Sequence, residues 1–423
     1  MLLDIILSRE NMSRAYARVV GNGGAAGIDK REVTDLLPYL NAHWSSLKST
    51  IETNSYEPQA VRRVTIPKPN GGERHLGIPT VFDRLIQQAI AQVIEPLWEG
   101  TFSDHSYGFR PQRNCHQAVS KAQTYVNGGN TYIVDIDLEK FFDRVNHDYL
   151  MHLLSKRIDD KRVLSLIGRY LRAGVMINGV ATRNEEGTPQ GSPLSPLLSN
   201  ILLDVLDKEL ERRGHRFVRY ADDFSLYCTS LRGAERALES IGRFITDHLH
   251  LKINAEKSGI RRQSKMVLLG LGFRINGKGN WGIRIAPKSI SRLQEKIKTL
   301  TQRHITVSTT ERIQRLNSVL QGWFHYYKIA DCQTHLTRID KWTRARLRMC
   351  EWKLWKRVRT RYQRLRATGV HHAQAVQWAN TRKGCWHIAH SPILSRSLPN
   401  KWLNQQGFVP LSDLYKRYKE RSQ

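Results

Sequence analysis

Acidic residues are scarce in this chain of 423 residues: 38 Asp and Glu stand against 67 Lys and Arg, a formal net charge of +29. An excess of this size predicts a polyanionic partner, and nucleic acid is the leading class. Charge alone leaves a basic ribosome-associated or membrane-surface protein open as the alternative. The hydrophobic fraction of 40% is that of a globular protein, and the length suits two or three domains.

Paired cysteines and long apolar runs are missing as well. The five cysteines lie far apart and form no C-x-x-C pair, which argues against a disulfide framework and a zinc knuckle. No apolar run approaches the length of a membrane span, and MLLDIILSRENMSR lacks the charge order of a signal peptide. These absences predict a soluble protein of a reducing compartment, without a membrane partner.

Hydrophobic periodicity predicts a mixture of helices and strands. Apolar and polar residues alternate in VRRVTIPKPNGGERHLGIP on both sides of Pro69–Gly72, and this pattern is typical of a hairpin. Apolar spacing predicts helices over 81–98 and 196–213. Further helices are expected within 1–60, near 232–248 and after 288, with strands near 266–285.

Two acidic segments contain the candidate catalytic residues. RYADDFSLYC places Asp222 and Asp223 between two strand-like arms, and YIVDIDLEKFF places Asp135 and Asp137 on one side of a strand. An isolated Asp pair is usually a turn feature. Carboxylates from neighbouring strands that meet need cations, however, and oxygen ligands favour Mg²⁺ or Mn²⁺. Two such ions about 3.5–4 Å apart would support phosphoryl or nucleotidyl transfer.

These segments, with others, resemble bacterial group II intron reverse transcriptases over essentially the entire chain. Six segments follow the family's order of motifs. They are the hairpin segment and, after it, SYGFRPQRNCHQAV, DIDLEKFFDRVNH, EGTPQGSPLSPLLSNILL, YADD and LKINAEKSGI. The family's thumb (maturase) and DNA-binding regions resemble three later segments, LNSVLQGWFHYYKI, RLRMCEWKLWKRVRTR and ANTRKGCWHIAHSP. The lack of an H-N-H endonuclease region with paired cysteines resembles the family's short class.

The resemblance implies an α+β right-hand polymerase with fingers, palm and helical thumb. It would comprise an RNA-binding N-terminal extension (1–60), fingers and palm (61–287), a thumb or maturase domain (288–360) and a basic DNA-binding domain (361–423).

The resemblance also implies roles for the acidic residues. Asp137, Asp222 and Asp223 would be catalytic and would hold two Mg²⁺ ions, Mn²⁺ being the alternative, with the carbonyl group of Leu138 as a further ligand. Asp135 is then expected to be solvated, and Asp143 to anchor a helix. Phe142 falls where the family places its steric gate against a ribose 2′-hydroxyl group; Phe141 is the alternative gate.

Further positions match the family's nucleotide contacts. Lys68 and Arg74, on opposite arms of the hairpin, and Arg63 would neutralise the dNTP triphosphate; otherwise they are exposed strand charges. Gln190 and Gly191 would approach the nucleotide, although Ser192 stands where the family often has a second glycine. Tyr220 would support the primer terminus, or is simply packed.

Residues 341–366 combine eleven Lys or Arg with one acid, Glu351. The spacing of Leu347, Cys350, Leu354, Val358 and Leu365 predicts one apolar helical face. The aromatic residues between the charges, Trp342, Trp352, Trp355 and Tyr362, suit base stacking, with a solvated basic face as the alternative. The cations expected to contact nucleic acid are Arg344, Arg348, Lys353, Lys356, Arg357, Arg359 and Arg361.

We therefore expect an RNA-directed DNA polymerase that also acts as a maturase for its group II intron RNA. Its partners would be that RNA, an RNA template with a DNA primer, target DNA and dNTPs, in the bacterial cytoplasm near nucleoid and RNA. A homodimer is left open. Two alternatives remain: an RNA-binding splicing factor with a vestigial site, and a relative recruited to phage defence, CRISPR spacer capture or DNA repair.

Overall fold

The computed structural model describes residues 1–67, 73–177, 180–182, 187–188, 191–277 and 279–421. The chain divides into two compact units, Met1–Gln263 and Ser264–Gln423. Helices and antiparallel strands both contribute, which confirms the predicted α+β class. Among the described helices, none combines the length and the apolar content needed to cross a membrane.

The first unit contains nine of the described helices and two four-stranded sheets. Its helices are α1 (Leu2–Ile6), α2 (Arg9–Asn22), α3 (Leu36–Glu52), α4 (Val81–Glu99), α5 (Cys115–Asn127), α6 (His147–Ser155), α7 (Lys161–Arg172), α8 (Ser195–Arg212) and α9 (Leu231–Leu249). Its strands are β1 (Val61–Pro67), β2 (Glu73–Ile78), β3 (Tyr132–Ile136), β4 (Val175–Ile177), β5 (Val180–Thr182), β6 (Arg216–Tyr220), β7 (Asp223–Cys228) and β8 (Gly259–Arg262).

The sheet that carries the acidic segments has the strand order β6-β7-β3-β8, and all its pairings are antiparallel. Most residues of the central strands are buried, and Val134 and Leu226 are fully inaccessible to solvent. They pack into one hydrophobic core with helices of the same unit, including α8 and α9. A fully supported central strand holds the positions at its ends rigidly, and those ends carry the candidate carboxylates.

The predicted hairpin is present as β1 and β2, in the second sheet of order β2-β1-β4-β5. Its turn, residues 68–72, lies outside the described part of the chain. β1 also pairs in parallel with β4, so the hairpin is joined to a segment far along the sequence. Helix α4 follows directly, and its N-cap Thr80 accepts a hydrogen bond from the N–H of Asp83 at 3.1 Å.

The second unit opens with a three-stranded antiparallel sheet and continues as helices. Its elements are β9 (Val267–Leu268), β10 (Leu271–Ile275), β11 (Trp281–Ile285), α10 (Pro287–Leu300), α11 (Thr309–Tyr327), α12 (Gln333–Leu354), α13 (Val358–Ala367), α14 (His372–Ala379), α15 (Cys385–Ala389), α16 (Pro392–Ser397), α17 (Asn400–Gln405) and α18 (Leu411–Arg421). The sheet β9–β11, which the sequence assigned to the palm, thus clusters with the helical unit. The four functional domains remain a prediction.

The prediction of one apolar helical face within 341–366 is wrong, because two helices share this segment. α12 ends at Leu354 and α13 begins at Val358, both of which are exposed. Trp352 and Trp355 are buried in a local hydrophobic core, so these two rings do not offer faces for base stacking. The tryptophans were misassigned because an apolar helical face predicts burial and stacking equally well until the neighbouring elements are known.

Candidate active site

The turn between β6 and β7 presents the first two carboxylates. Tyr220 pairs with Asp223, so the connection has only two residues, Ala221 and Asp222. Ala221 has φ of +59°, the left-handed conformation that short hairpin turns demand and that glycine usually supplies. The turn therefore projects the Asp pair from the end of the sheet.

Asp137 lies at the same end of the sheet, on the neighbouring strand. β3 pairs with β7 so that Ile136 faces Phe224, and the next step of this antiparallel register places Asp137 beside Asp223. The loop before β8 fixes the Asp137 backbone, because its N–H donates to Ser258 Oγ at 2.9 Å and its carbonyl accepts from the Asn254 N–H at 2.8 Å. Strand register thus brings two distant acidic segments together.

The acidic groups at this end of the sheet repel one another. Burial, followed by the negative charges of Asp222, Asp137 and Asp135, raises the pKa of Asp223 to about 6, although the residue still reaches solvent. Two cations offset this repulsion: Lys257 Nζ lies 3.2 Å from Asp137 Oδ2, and Arg261 Nε lies 3.2 Å from Asp135 Oδ2. Asp135 is therefore paired within the protein instead of being simply solvated.

The donor set at this sheet end fits hard divalent cations. The oxygens come from carboxylates and backbone carbonyls, which Mg²⁺ and Mn²⁺ prefer. The hydrogen bonds that flank Leu138 use the Asp137 carbonyl and the Glu139 N–H, and not the Leu138 carbonyl. Over the described residues, no three His, Cys, Asp or Glu side chains form a ready-made ligand group. Binding would therefore require side-chain adjustment, including release of the exposed Lys257 ammonium group.

A buried arginine that the sequence interpretation missed holds the β6–β7 turn from behind. Arg219 is fully buried, and its guanidinium donates to Asp207 (Nε to Oδ1, 2.8 Å), Asn200 Oδ1 (3.0 Å) and the carbonyl oxygen of Ala221 (3.0 Å). Asn200 and Asp207 are seven residues apart on α8 and so lie on one helical face. That spacing was visible in the sequence, but the burial of Arg219 was not.

The loop SYGFR, residues 106–110, packs against the same turn. Tyr107 N–H donates to the Arg219 carbonyl at 2.9 Å, and Ser106 forms a parallel bridge with Arg219. A methyl group on Gly108 would lie 2.2 Å from the amide nitrogen of Ala221, so no larger residue fits without displacing one of the two backbones. Loop and turn are therefore locked together.

The two gate candidates occupy different environments. Phe141 is buried in the core, whereas Phe142 is half-buried and lines a cavity of about 440 Å³. The carbonyl of Phe142 accepts a hydrogen bond from the Thr188 N–H at 2.6 Å, which ties it to the segment before Gly191. Gly191 (φ +114°) lines the same cavity. Only Phe142 is therefore placed to meet a ligand there.

The remaining nucleotide-binding predictions are only partly visible. Lys68 and Gln190 lie outside the described residues, as does the side chain of Arg74, although the backbone of Arg74 pairs with Ile66. Arg63 is exposed on β1. Tyr220, at the end of β6, is half-buried, and burial raises the pKa of its hydroxyl group.

The seven basic residues predicted to contact nucleic acid fall into two groups. Internal contacts hold Arg344, Arg348 and Arg361, whereas the exposed group comprises Lys353, Lys356, Arg357 and Arg359. Arg348 Nε donates to the Leu398 carbonyl at 2.8 Å, and the Arg361 guanidinium lies 4.8 Å from the ring centre of Trp352. The first group thus supports the fold, and the second keeps its charge at the surface.

Comparison with known proteins identifies the family. Residues 66–273 match the model of reverse transcriptase (RNA-dependent DNA polymerase), and residues 290–369 match the group II intron, maturase-specific domain. Protein YkfC of Escherichia coli (strain K12) is 31% identical over 61% of this chain and 78% of its own length. The chain is a group II intron-type reverse transcriptase. The predicted polymerase class and maturase region are thereby confirmed.

Other relatives of this reverse transcriptase differ in length. The group II intron-encoded protein LtrA of Lactococcus lactis is 31% identical over 54% of this chain, which spans about half (49%) of LtrA. A solved partial Cas6-RT-Cas1–Cas2 complex contains a chain 26% identical over 58% of this one and 42% of that chain, with a TM-score of 0.38. That structural likeness is too slight to bear on function. Reverse transcriptases use divalent metal ions and act on RNA and DNA.

Proposed function

We propose that this reverse transcriptase extends a DNA primer on an RNA template. The primer 3′-oxygen forms a new bond to the α-phosphorus of a dNTP, the bond from that phosphorus to the β-phosphate bridging oxygen breaks, and pyrophosphate and the hydroxyl proton leave. The register that sets Asp137 beside Asp223, next to Asp222 in the turn, supports this reaction.

The catalytic carboxylates would hold the divalent ions. Two Mg²⁺ ions, with Mn²⁺ as a substitute, are proposed at Asp137, Asp222, Asp223 and the Leu138 carbonyl, where they would activate the primer hydroxyl group and neutralise the leaving phosphate. The chain itself contributes position: Ser258 and Asn254 fix the Asp137 backbone.

Nucleotide selection is assigned to residues around the cavity and the hairpin. Phe142 would exclude a ribose 2′-hydroxyl group, because it lines the cavity while Phe141 is buried. Gly191 would allow close approach of the nucleotide. Arg63, Lys68 and Arg74 are proposed to contact the triphosphate. Gln190 is proposed to contact the sugar or the template, and Tyr220 the primer.

Primer extension with Mg²⁺ and dNTPs on an RNA template tests the polymerase proposal. Asp222→Ala should lower the extension rate by about a thousandfold, since an ion contact contributes several kcal/mol to the transition state. RNA affinity should stay within about twofold. The matched control Asp247→Ala removes an exposed carboxylate on α9 and should extend normally. No incorporation by the wild type, or a large loss of RNA affinity in Asp222→Ala, contradicts the proposal.

We further propose that the protein serves splicing and mobility of a group II intron RNA. The match of residues 290–369, covering α10 to α13, supports this role. The thumb is then assigned to 288–360, where Arg357 and Arg359 flank Val358 at the surface of the helix break, and target-DNA contact is assigned to 361–423. The proposed location is the bacterial cytoplasm. Failure to accelerate the splicing of any group II intron RNA that the protein binds would contradict the maturase role.

A further inference from the structure

Phe109 has a backbone conformation that large side chains rarely adopt. Its φ is +58°, in the left-handed region where a Cβ atom meets the neighbouring backbone. The residue is also 49% exposed, so core packing does not explain an aromatic ring at this position. Strained residues of this kind persist where the surroundings impose them, and they cluster at ligand-binding sites.

The backbone on both sides of Phe109 is firmly held. Asn200 Nδ2 donates to the Gly108 carbonyl at 2.9 Å, and Gly108 itself lies against the Ala221 amide. On the other side, Arg110 is buried, and its guanidinium Nη2 donates to Glu99 Oε1 at 2.9 Å. The fold therefore fixes the strained conformation and, with it, the position of the phenyl ring.

The ring of Phe109 lines the same 440 Å³ cavity as Phe142 and Gly191. Among the described residues that line this cavity, the one cation is Arg84, and its guanidinium already donates to the carbonyls of Gly23 and Ala25. A triphosphate group would need more positive charge than this. The described lining, which includes Leu76, Phe142 and Pro193, therefore suits an uncharged and largely apolar chemical group.

We propose that Phe109 packs against the nucleoside part of the incoming dNTP. This rests on the proposed polymerase function, in which the α-phosphate lies at Asp137 and Asp223. The nucleoside is attached to that phosphate, and Phe109 follows the glycine that touches the catalytic turn. Phe142 would then limit the sugar while Phe109 supports the base or the sugar face. Such a contact is independent of base identity, because every nucleobase has an apolar face.

Phe109→Gly tests this assignment without adding strain, since glycine adopts φ of +58° readily. In primer extension, the KM for each dNTP should rise about tenfold, given the usual contribution of aromatic–base packing. Template–primer affinity should stay within about twofold, the melting temperature should not fall, and Phe109→Tyr should restore the wild-type KM. Gln112→Gly is the matched control, because Gln112 lies nearby, is exposed and has φ of +57°. Its dNTP KM should be unchanged.

Three results would overturn the inference. An unchanged dNTP KM in Phe109→Gly would remove the nucleotide contact, and weakened template–primer binding at constant KM would assign the ring to the template strand. A lower melting temperature would make the ring structural. In each case the wild type still extends primers, so the polymerase proposal stands; a wild type without dNTP incorporation would overturn both.

Discussion

Removal of the Asp207 carboxylate should destabilise the first unit by about 3–5 kcal/mol, the usual cost of leaving one partner of a buried ion pair alone. Arg219 and Asp207 are both fully inaccessible to solvent, and Arg219 Nη2 lies 2.6 Å from Asp207 Oδ2. In Asp207→Ala the guanidinium keeps Asn200 Oδ1 and the Ala221 carbonyl as acceptors. We therefore expect the lower end of the range, about 3 kcal/mol.

Urea unfolding of the full chain measures this change from the free energy of the first unit's transition. The control is the double variant Arg219→Met/Asp207→Leu, which replaces both charges by apolar groups of similar volume. It should recover most of the lost stability. It also leaves the Ala221 carbonyl without its guanidinium donor, so primer extension should be slower than in the wild type.

Two outcomes would refute this reasoning. A cost below about 1 kcal/mol for Asp207→Ala would show that the buried arginine does not depend on its counterion. Normal primer extension by the double variant would show that the hydrogen bond from Arg219 to the Ala221 carbonyl does not position the turn.

Two further changes follow from the structure. Phe142→Ala should lower discrimination against ribonucleotides by about tenfold or more in extension assays with NTPs. Phe141→Ala should instead lower the free energy of unfolding by about 3–5 kcal/mol, because Phe141 is buried. Unchanged discrimination in Phe142→Ala would contradict the assignment of the gate to this residue. Burial raises the pKa of Asp204 to about 6, above its unfolded value, so its ionised form costs stability above pH 6. Asp204→Asn should then raise the urea midpoint at pH 7.5, and the gain should shrink towards pH 4; a gain independent of pH would contradict this.

Local patterns predicted the elements that carry the carboxylates. The β6–β7 hairpin and α8 were predicted because alternation and helical spacing are properties of short segments. The proximity of Asp137 to the turn was expected because a strand end and a hairpin turn on neighbouring strands can meet, and the β3–β7 register brings them together.

Tertiary neighbours decided what local patterns left open. Arg219 looks like an exposed strand charge until α8 brings Asp207 against it. Trp352 and Trp355 looked available for stacking, but helices after residue 358 cover them. The conformation of Phe109 is imposed through its neighbours, because Asn200 donates to the Gly108 carbonyl and Arg110 donates to Glu99, and no local propensity encodes these bonds.

The order of strands in the central sheet also has a consequence for biosynthesis. β3 lies between β7 and β8, both of which leave the ribosome long after it. Until they arrive, β3 has two unpaired edges and its apolar residues have no sheet to join, a non-local arrangement that folds slowly. The active site can therefore form only late in translation. A nascent chain that stops before β7 would be inactive and would expose a strand with unpaired edges, which promotes aggregation.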